Sequence, residues 1–320
     1  MLTKVKLAAL MDLLERQARG GDVAGALAQL DAAAAAGLAP DLGPMTALGQ
    51  PRKLVAARLR LARAAGDAVG RAGLQALAVP PVALLAPLFA PGPAERAARR
   101  AAADQPVPRR LHQIWLGGPP PAACAAWAAM AARHGWEYRL WDAPALAAEG
   151  VDRDPVYAAM LAAGDLPGAV DVARYHLLAR QGGVYLDCDW YPARADLPPE
   201  AALPMTGLSA LAEPTPRLTH TGGLLLSNAL IAAPPGHPAL GALIAALPAV
   251  AACLPGAPAW WATGPLVFTL AARGGPVGLL AHGTVAAELP RATPPEEVEA
   301  LAARLRAEDA PGLLIAWKGW

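Results

Sequence analysis

Apolar residues recur at helical spacing through the first 71 positions: Leu7, Leu10, Met11 and Leu14, then Ala24, Leu27 and Leu30, then Leu54, Ala57, Leu59 and Leu61. Each run places one apolar stripe opposite a polar face, which predicts a set of amphipathic helices. Gly20-Gly21 and Gly37-Leu38-Ala39-Pro40 read as their ends, because glycine accepts the backbone turn that closes a helix. No second copy follows at a fixed period, so a small helical cap or oligomerisation element is expected. The most apolar stretch, Ala72 to Pro91, contains four prolines and a glutamine. Interior prolines break a helical ladder and a membrane span needs about 20 apolar residues, so this stretch reads as a linker or a peripheral hydrophobic contact.

Past the Pro-rich stretch the pattern changes. Glu95 to Ala103 predicts one more Arg-rich helix, and Leu111 to Leu116 then reads as a buried strand with a Gly117-Gly118 exit. A helix from Ala122 to His134 precedes Trp136 to Asp142, an alternating strand that ends on an acid. A further helix carries Asp171 and Arg174 one turn apart and is stopped by Gly182-Gly183, before the short apolar strand Val184-Tyr185-Leu186. Strand, helix and strand in this rhythm predict an α/β fold with a mostly parallel sheet. The expected organisation is a helical region with a Pro-rich linker over 1–95 and an α/β domain over 96–320. Glu296 to Asp309 alternates charge and reads as an amphipathic helix with a solvated face.

Composition narrows the partners. With 55% hydrophobic residues in 320 there is ample core for one large or two ordinary domains. A formal charge of +1 gives no concentrated basic face for nucleic acid. Cys124, Cys188 and Cys253 are far apart, which fits a reducing compartment and leaves no zinc spacing. Asp12, Glu15 and Arg16 interrupt the first apolar run too early for a signal peptide. A cytoplasmic location is expected, with at most peripheral contact at the inner face of the membrane.

The chemistry concentrates where the apolar strand ends on Asp187-Cys188-Asp189. In open α/β sheets the carboxyl ends of strands face the ligand crevice, so acids there meet whatever binds. Two residues apart on an extended chain, Asp187 and Asp189 would share a face while Cys188 turns away. So few hard oxygen ligands suit Mg²⁺ or Mn²⁺ held jointly with substrate phosphates, and a nucleotide diphosphate is the expected guest.

Four ordered motifs, His112-Gln113-Ile114-Trp115 with Gly117-Gly118, Tyr138 to Asp142, Asp171-x-x-Arg174-Tyr175 and Gly182 to Asp189, strongly resemble the glycosyltransferases with a DXD sugar-binding region. That group, glycosyltransferase family thirty-two, includes yeast Golgi mannosyltransferases, bacterial capsular polysaccharide transferases and, more remotely, the glucosyltransferase domains of large clostridial toxins. The resemblance runs from about Pro106 to Trp320. It implies a GT-A type, Rossmann-like fold and transfer of a hexose from a nucleotide diphosphate sugar to a glycan, lipid-linked or protein acceptor, metal-assisted and retaining. It further implies that Trp115 stacks on the base, that Asp171 and Arg174 bind donor sugar hydroxyls and help hold the diphosphate, that Asp187 contacts ribose and sugar, and that Asp189 binds the metal directly. Tyr185 lies on the strand entering the site, and Asn228 and the Thr263-Gly264-Pro265 segment match landmarks lining the sugar and acceptor side.

The chain departs from that pattern at its end. Members of the group close the metal site with a segment of the type His-x-x-Gly-Ser-Trp, whereas this sequence ends Ile315-Ala316-Trp317-Lys318-Gly319-Trp320. Gly319 and Trp320 match; the His and Ser do not, and Lys318 puts a cation where a metal ligand or the diphosphate is expected. Two alternatives stay open: a degenerate protein that binds nucleotide sugar without turnover, and a metal-dependent nucleotidyltransferase or phosphohydrolase. Taken singly, each residue also has a plainer role: Trp115 as core, Asp171 with Arg174 as an i,i+3 ion pair, the two acids as turn caps, and His112 as a satisfied structural histidine. His220, His237 and His282 form no metal spacing.

Overall fold

The computed structural model describes the chain apart from residues 44, 47–49, 68, 72, 75–79, 81, 214–224, 281 and 319–320; of Val82 and His282 the backbone alone is described. Gly319, Trp320, His220 and part of the apolar stretch after Ala72 therefore lie outside the described residues. The chain divides into two compact units, the first containing Met1–Leu85 and the second Ala86–Glu213 with Leu226–Trp320.

The first unit is built on α1 (Lys4–Arg19), α2 (Val23–Ala35) and α3 (Arg52–Ala64). Thr3 and Asp22 start the first two helices by accepting from the backbone N–H of Lys6 at 3.3 Å and of Gly25 at 2.9 Å. Leu7, Met11, Leu14 and Ala18 of α1 pack with Ala26 and Leu30 of α2 and with Leu54, Ala57 and Leu61 of α3. Ala24 is exposed rather than on the buried stripe. It lies six positions before Leu30, a rotation of about 120° on a helix, whereas Ala26 at i−4 continues the same face.

The second unit carries α4 (Pro93–Ala101), α5 (Ala122–Arg133), α6 (Leu166–Gln181), α7 (Pro238–Cys253), α8 (Pro265–Ala272) and α9 (Pro295–Ala307). Its six-stranded sheet has the order β2-β1-β3-β6-β5-β7. The strands are β1 (Arg110–Ile114), β2 (Glu137–Trp141), β3 (Gly183–Leu186), β5 (Ser209–Ala212), β6 (Leu226–Ala233) and β7 (Gly278–Leu280). β1 runs parallel to β2 and β3, β5 parallel to β7, and β6 antiparallel to both β3 and β5. Five strands thus share one direction and β6 opposes them, the mostly parallel α/β sheet expected from the βαβ rhythm. A small second sheet, β4 (Trp190–Pro192), β9 (Leu314–Ala316) and β8 (Val285–Glu288), joins the chain after the acidic motif to the C-terminal segment.

Burial follows the sheet. Every residue of β3 is buried, as a central strand covered on both faces requires. The exposed and half-buried positions of β2 alternate until Trp141, which is fully buried, as suits a strand at the sheet margin. Helices α6 and α8 pack against β6, α6 also against β3, and α5 against β2 and β4. Among the described residues no helix is long and apolar enough to cross a membrane.

The passage from α6 into β3 fixes where the acids emerge. Asp165 starts α6 by accepting from the N–H of Gly168 at 3.0 Å, and Pro167 suits the first turn, where no intrahelical donor is needed. The helix ends where Gly182 N–H bonds Leu178 O at 2.9 Å with φ of 61°, and Gly183 follows at φ of 104°. A Cβ on Gly182 would stand 2.6 Å from Pro235, and one on Gly183 2.6 Å from Arg110 O. Both glycines are therefore demanded by backbone conformation and by close packing together.

Candidate functional site

Two parallel strands deliver the site to one edge of the sheet. Trp115 follows β1 and Asp187 follows β3, and since β1 and β3 are parallel their carboxyl ends lie side by side. Cys188 Sγ donates to Ile114 O at 3.3 Å, which ties the acidic motif to the end of β1. The chain turns at Cys188 and Asp189 instead of remaining extended. The two acids consequently find different partners, while the Cys188 side chain is buried.

Asp187 is held by three groups. Tyr185 O–H donates to its Oδ1 at 2.6 Å, Arg174 Nη2 stands 3.1 Å from the same oxygen, and Gln113 Nε2 donates to its backbone O at 3.2 Å. Tyr138 O–H in turn donates to Gln113 Oε1 at 2.9 Å. Behind this, Asp171 is nearly closed off. Its Oδ1 accepts from Asn228 Nδ2 at 2.8 Å and pairs with Arg174 Nη2 at 3.0 Å, and its Oδ2 accepts from Thr263 Oγ1 at 3.0 Å. Asn228 Nδ2 also donates to Tyr175 Oη at 3.0 Å, and Tyr175 O–H donates to Thr263 O at 2.7 Å. Asp171, Arg174, Tyr185, Asp187 and Asn228, separate in sequence, thus form one connected cluster, and Thr263 belongs to it by direct contact.

Arg174 is the centre of that cluster. It is 3% exposed, its Cζ lies 4.4 Å from the Tyr185 ring centroid, and Nη1 donates to Asn228 O at 2.5 Å while Nε donates to Val170 O at 3.3 Å. Burial pulls its proton affinity down, but Asp187, Tyr185 and Asp171 together push it above the ordinary arginine value. Most of its N–H groups are spent on protein acceptors. It thereby ties the two aspartates together. Asp171 titrates at about 6, raised chiefly by burial and also by Asp187, against the opposing pull of Arg174, Asn228 and Thr263.

Asp189 is not hydrogen-bonded into this cluster and differs from it. Its Oδ2 lies 3.3 Å from Lys318 Nζ, whereas its buried Oδ1 has no hydrogen-bond partner among the described residues. Burial raises its pKa to about 6, Asp187 adds to that, and Lys318 lowers it. An orphaned carboxylate oxygen beside a second acid fits a hard divalent cation that keeps most of its ligands as water or substrate oxygens. Among the described residues no group of three or more His, Cys, Asp or Glu side chains converges to hold a metal. Two carboxylates of this kind would fit a cation only if it shared its shell with a phosphate ligand, and Asp189 and Asp187 are the residues that would hold it.

Trp115 is half-buried, with Nε1 donating to Gly118 O at 2.9 Å. Gly117 packs beneath its indole, where a Cβ would come within 3.1 Å of the ring. Gly117, and not Gly118, leaves the room that the ring occupies at the strand's end. His112 is a structural residue: Nε2 bonds Gly182 O at 2.9 Å, Trp141 Nε1 donates to Nδ1 at 3.0 Å, and burial lowers its pKa to about 4. His237 starts α7 by accepting from Ala239 N–H at 3.3 Å. The sequence reading did not assign Gln113 and Tyr138 to the support of Asp187. The signal was there, since a glutamine inside a buried strand must find partners for its amide.

No family model matches the sequence, and no curated protein matches it. Among solved structures the chain is similar to one described as PaToxG Glycosyltransferase, at 15% identity and a TM-score of 0.42, over 56% of this chain and 73% of that one.

Proposed function

We propose that this chain is a glycosyltransferase that moves a hexosyl group from a nucleoside diphosphate sugar to a hydroxyl of a glycan, lipid-linked or protein acceptor. The observation that carries the reading is the single cluster at the sheet edge: Arg174 fixed between Asp171 and Asp187, with the unpaired Oδ1 of Asp189 beside it. A stereotyped acid pair held this firmly is suited to receive a ligand that brings both charge and hydroxyls.

Mn²⁺ or Mg²⁺, when bound, supplies positive charge to the diphosphate oxygens and so stabilises the leaving group. Asp189 and Asp187 are the residues that would hold it. Trp115 offers a flat indole face to the base. Asp187 keeps its geometry through Tyr185, Gln113 and Arg174, so its second oxygen is positioned for sugar or ribose hydroxyls without reorganisation. Asp171 and the backbone oxygen of Asn228 act one layer behind by fixing Arg174. In the transfer the anomeric C–O bond to the diphosphate breaks and a bond to the acceptor oxygen forms on the same face. The acceptor proton passes to an oxygen of the departing diphosphate. NMR of the product would show retained configuration; inversion would remove the same-face step.

A second reading, binding of a nucleotide sugar without turnover, draws on the Lys318 contact with Asp189, because an ammonium already stands at the acid expected to bind metal. Two measurements separate the cases. A thermal-shift screen of nucleoside diphosphate sugars with and without Mn²⁺ should raise the midpoint by several degrees for the correct donor, since a ligand at about 100 Kd contributes about 2.7 kcal/mol to the folded state. Hydrolysis of that donor should then be measurable. No shift with any nucleoside diphosphate sugar would sink both readings, and a shift without hydrolysis or transfer would leave the binding protein.

A further inference from the structure

Lys318 is placed by the fold and not by chance. β9 pairs antiparallel with β4, Trp190 opposite Ala316, and Trp317 N–H then bonds Asp189 O at 2.7 Å. Trp317 is 3% exposed and its Nε1 donates to Thr293 O at 3.0 Å, so the strand's end is anchored against the acid. Lys318 is the next residue, and its ammonium reaches Asp189 Oδ2 at 3.3 Å while its side chain stays 64% exposed. An anchored base with a free, flexible end can exchange partners at little cost.

The charges near it say which partners. Counted as ionised, Asp171, Asp187 and Asp189 carry three negative charges against Arg174 and Lys318, a balance of minus one (two minus three). Arg174 is buried and committed to protein acceptors, so Lys318 is the cation of this group that can leave its carboxylate. A divalent cation arriving at Asp189 competes directly with the ammonium. A diphosphate arriving with that cation brings negative oxygens next to the displaced one.

We propose that Lys318 is an exchangeable cation: it neutralises Asp189 in the empty site, yields that acid to a divalent cation, and then serves as a ligand of the donor diphosphate. This rests on the nucleoside diphosphate sugar reading above and names the group that supplies the mobile positive charge. It also accounts for a lysine where a metal ligand was expected: the residue complements the cation instead of coordinating it.

The test compares wild type, Lys318→Gln and Lys318→Arg at constant pH by calorimetric titration, first with Mn²⁺ alone and then with inorganic pyrophosphate in the presence of Mn²⁺. Losing the competitor should tighten Mn²⁺ binding by about fivefold, the scale of a partly exposed ion pair. Losing the phosphate ligand should weaken pyrophosphate by roughly tenfold, the scale of a charge-assisted hydrogen bond. Lys318→Arg should return both toward wild type. A merely structural lysine would not move the two affinities in opposite directions. Equal affinities in wild type and Lys318→Gln, or Mn²⁺ binding that weakens, would overturn the proposal. If wild type itself binds neither pyrophosphate nor any nucleoside diphosphate sugar, the transferase reading fails along with it, which is a different result from binding that is indifferent to Lys318.

Discussion

At the scale of single residues, Arg174 and the titrating groups around it make the most specific demands. Replacing Arg174 by alanine leaves Asp171 and Asp187 facing each other without their shared cation, and removing one member of a buried pair typically costs about 3–5 kcal/mol. Arg174→Lys keeps the charge but cannot reach four acceptors from one planar group, so transfer should fall by about a hundredfold or more even where the fold survives. Urea denaturation and donor hydrolysis measured on both variants check this, and near-normal turnover in Arg174→Lys would remove Arg174 from the orienting role. Asp189 offers a test by pH. His112 and His237 are held neutral, with pKa values of about 4 against 6.5 unfolded, so the unfolded chain binds more protons between those values and stability falls as pH falls. Asp171 and Asp189 are raised to about 6 from 3.8, so there the folded chain binds more protons and stability falls as pH rises. Between about pH 4 and 6 the two effects oppose each other nearly proton for proton. Asp189→Asn removes one acid from that balance, and between about pH 4 and 6 its stability should decline with acid more steeply than that of wild type. Parallel slopes in urea midpoints would show that Asp189 is not raised by burial. The same variant should abolish transfer while keeping its fold at neutral pH.

At the scale of elements, the turn from α6 to β3 carries the acids, and its glycines should be intolerant. Gly183→Ala puts a methyl at 2.6 Å from a backbone oxygen in a conformation with φ of 104°, so a loss well above the ~1 kcal/mol of an ordinary glycine substitution is expected. Because β3 must then shift against β1, donor affinity should fall too; a variant of normal stability would show that the strand accommodates the methyl. This junction was also where the sequence was most legible. A helix that stops at two glycines before a short apolar strand leaves little choice about where Asp187 emerges, and the ends of β1, β2 and β3 fall within a residue or two of the apolar runs and the alternation that predict them. Three things were hidden. The turn at Cys188 was unreadable because a three-residue motif looks alike extended or turned, and the thiol's bond to Ile114 O decides between them. The reversal of β6 was not visible, since an apolar run carries no direction. The contacts of Arg174 with Asn228 O and Val170 O were hidden as well, because they depend on β6 and on its own helix backbone, which no spacing rule encodes.

At the scale of the whole chain, each compact unit holds an apolar core made from its own residues. The first core draws on Leu2 to Leu61, whereas the clusters of the second unit draw on Val107 to Leu314 and on Ala123 to Trp317. Every residue assigned to the proposed site belongs to the second unit. A cooperative transition belongs to a core, and chains with separate cores depart from two-state unfolding. Leu14, fully buried among α1, α2 and α3, allows that separation to be measured. Leu14→Ala should destabilise the first unit by about 2–5 kcal/mol through the lost burial and the cavity left behind. In calorimetry it should lower one transition and leave the other in place. A nucleoside diphosphate sugar with Mn²⁺ should raise the transition that Leu14→Ala leaves unmoved, because ligand binding stabilises only the unit that forms the site. If one transition moves as a whole under both changes, the first unit is part of the same cooperative fold as the sheet, and its helices then belong in any account of how the acids are held.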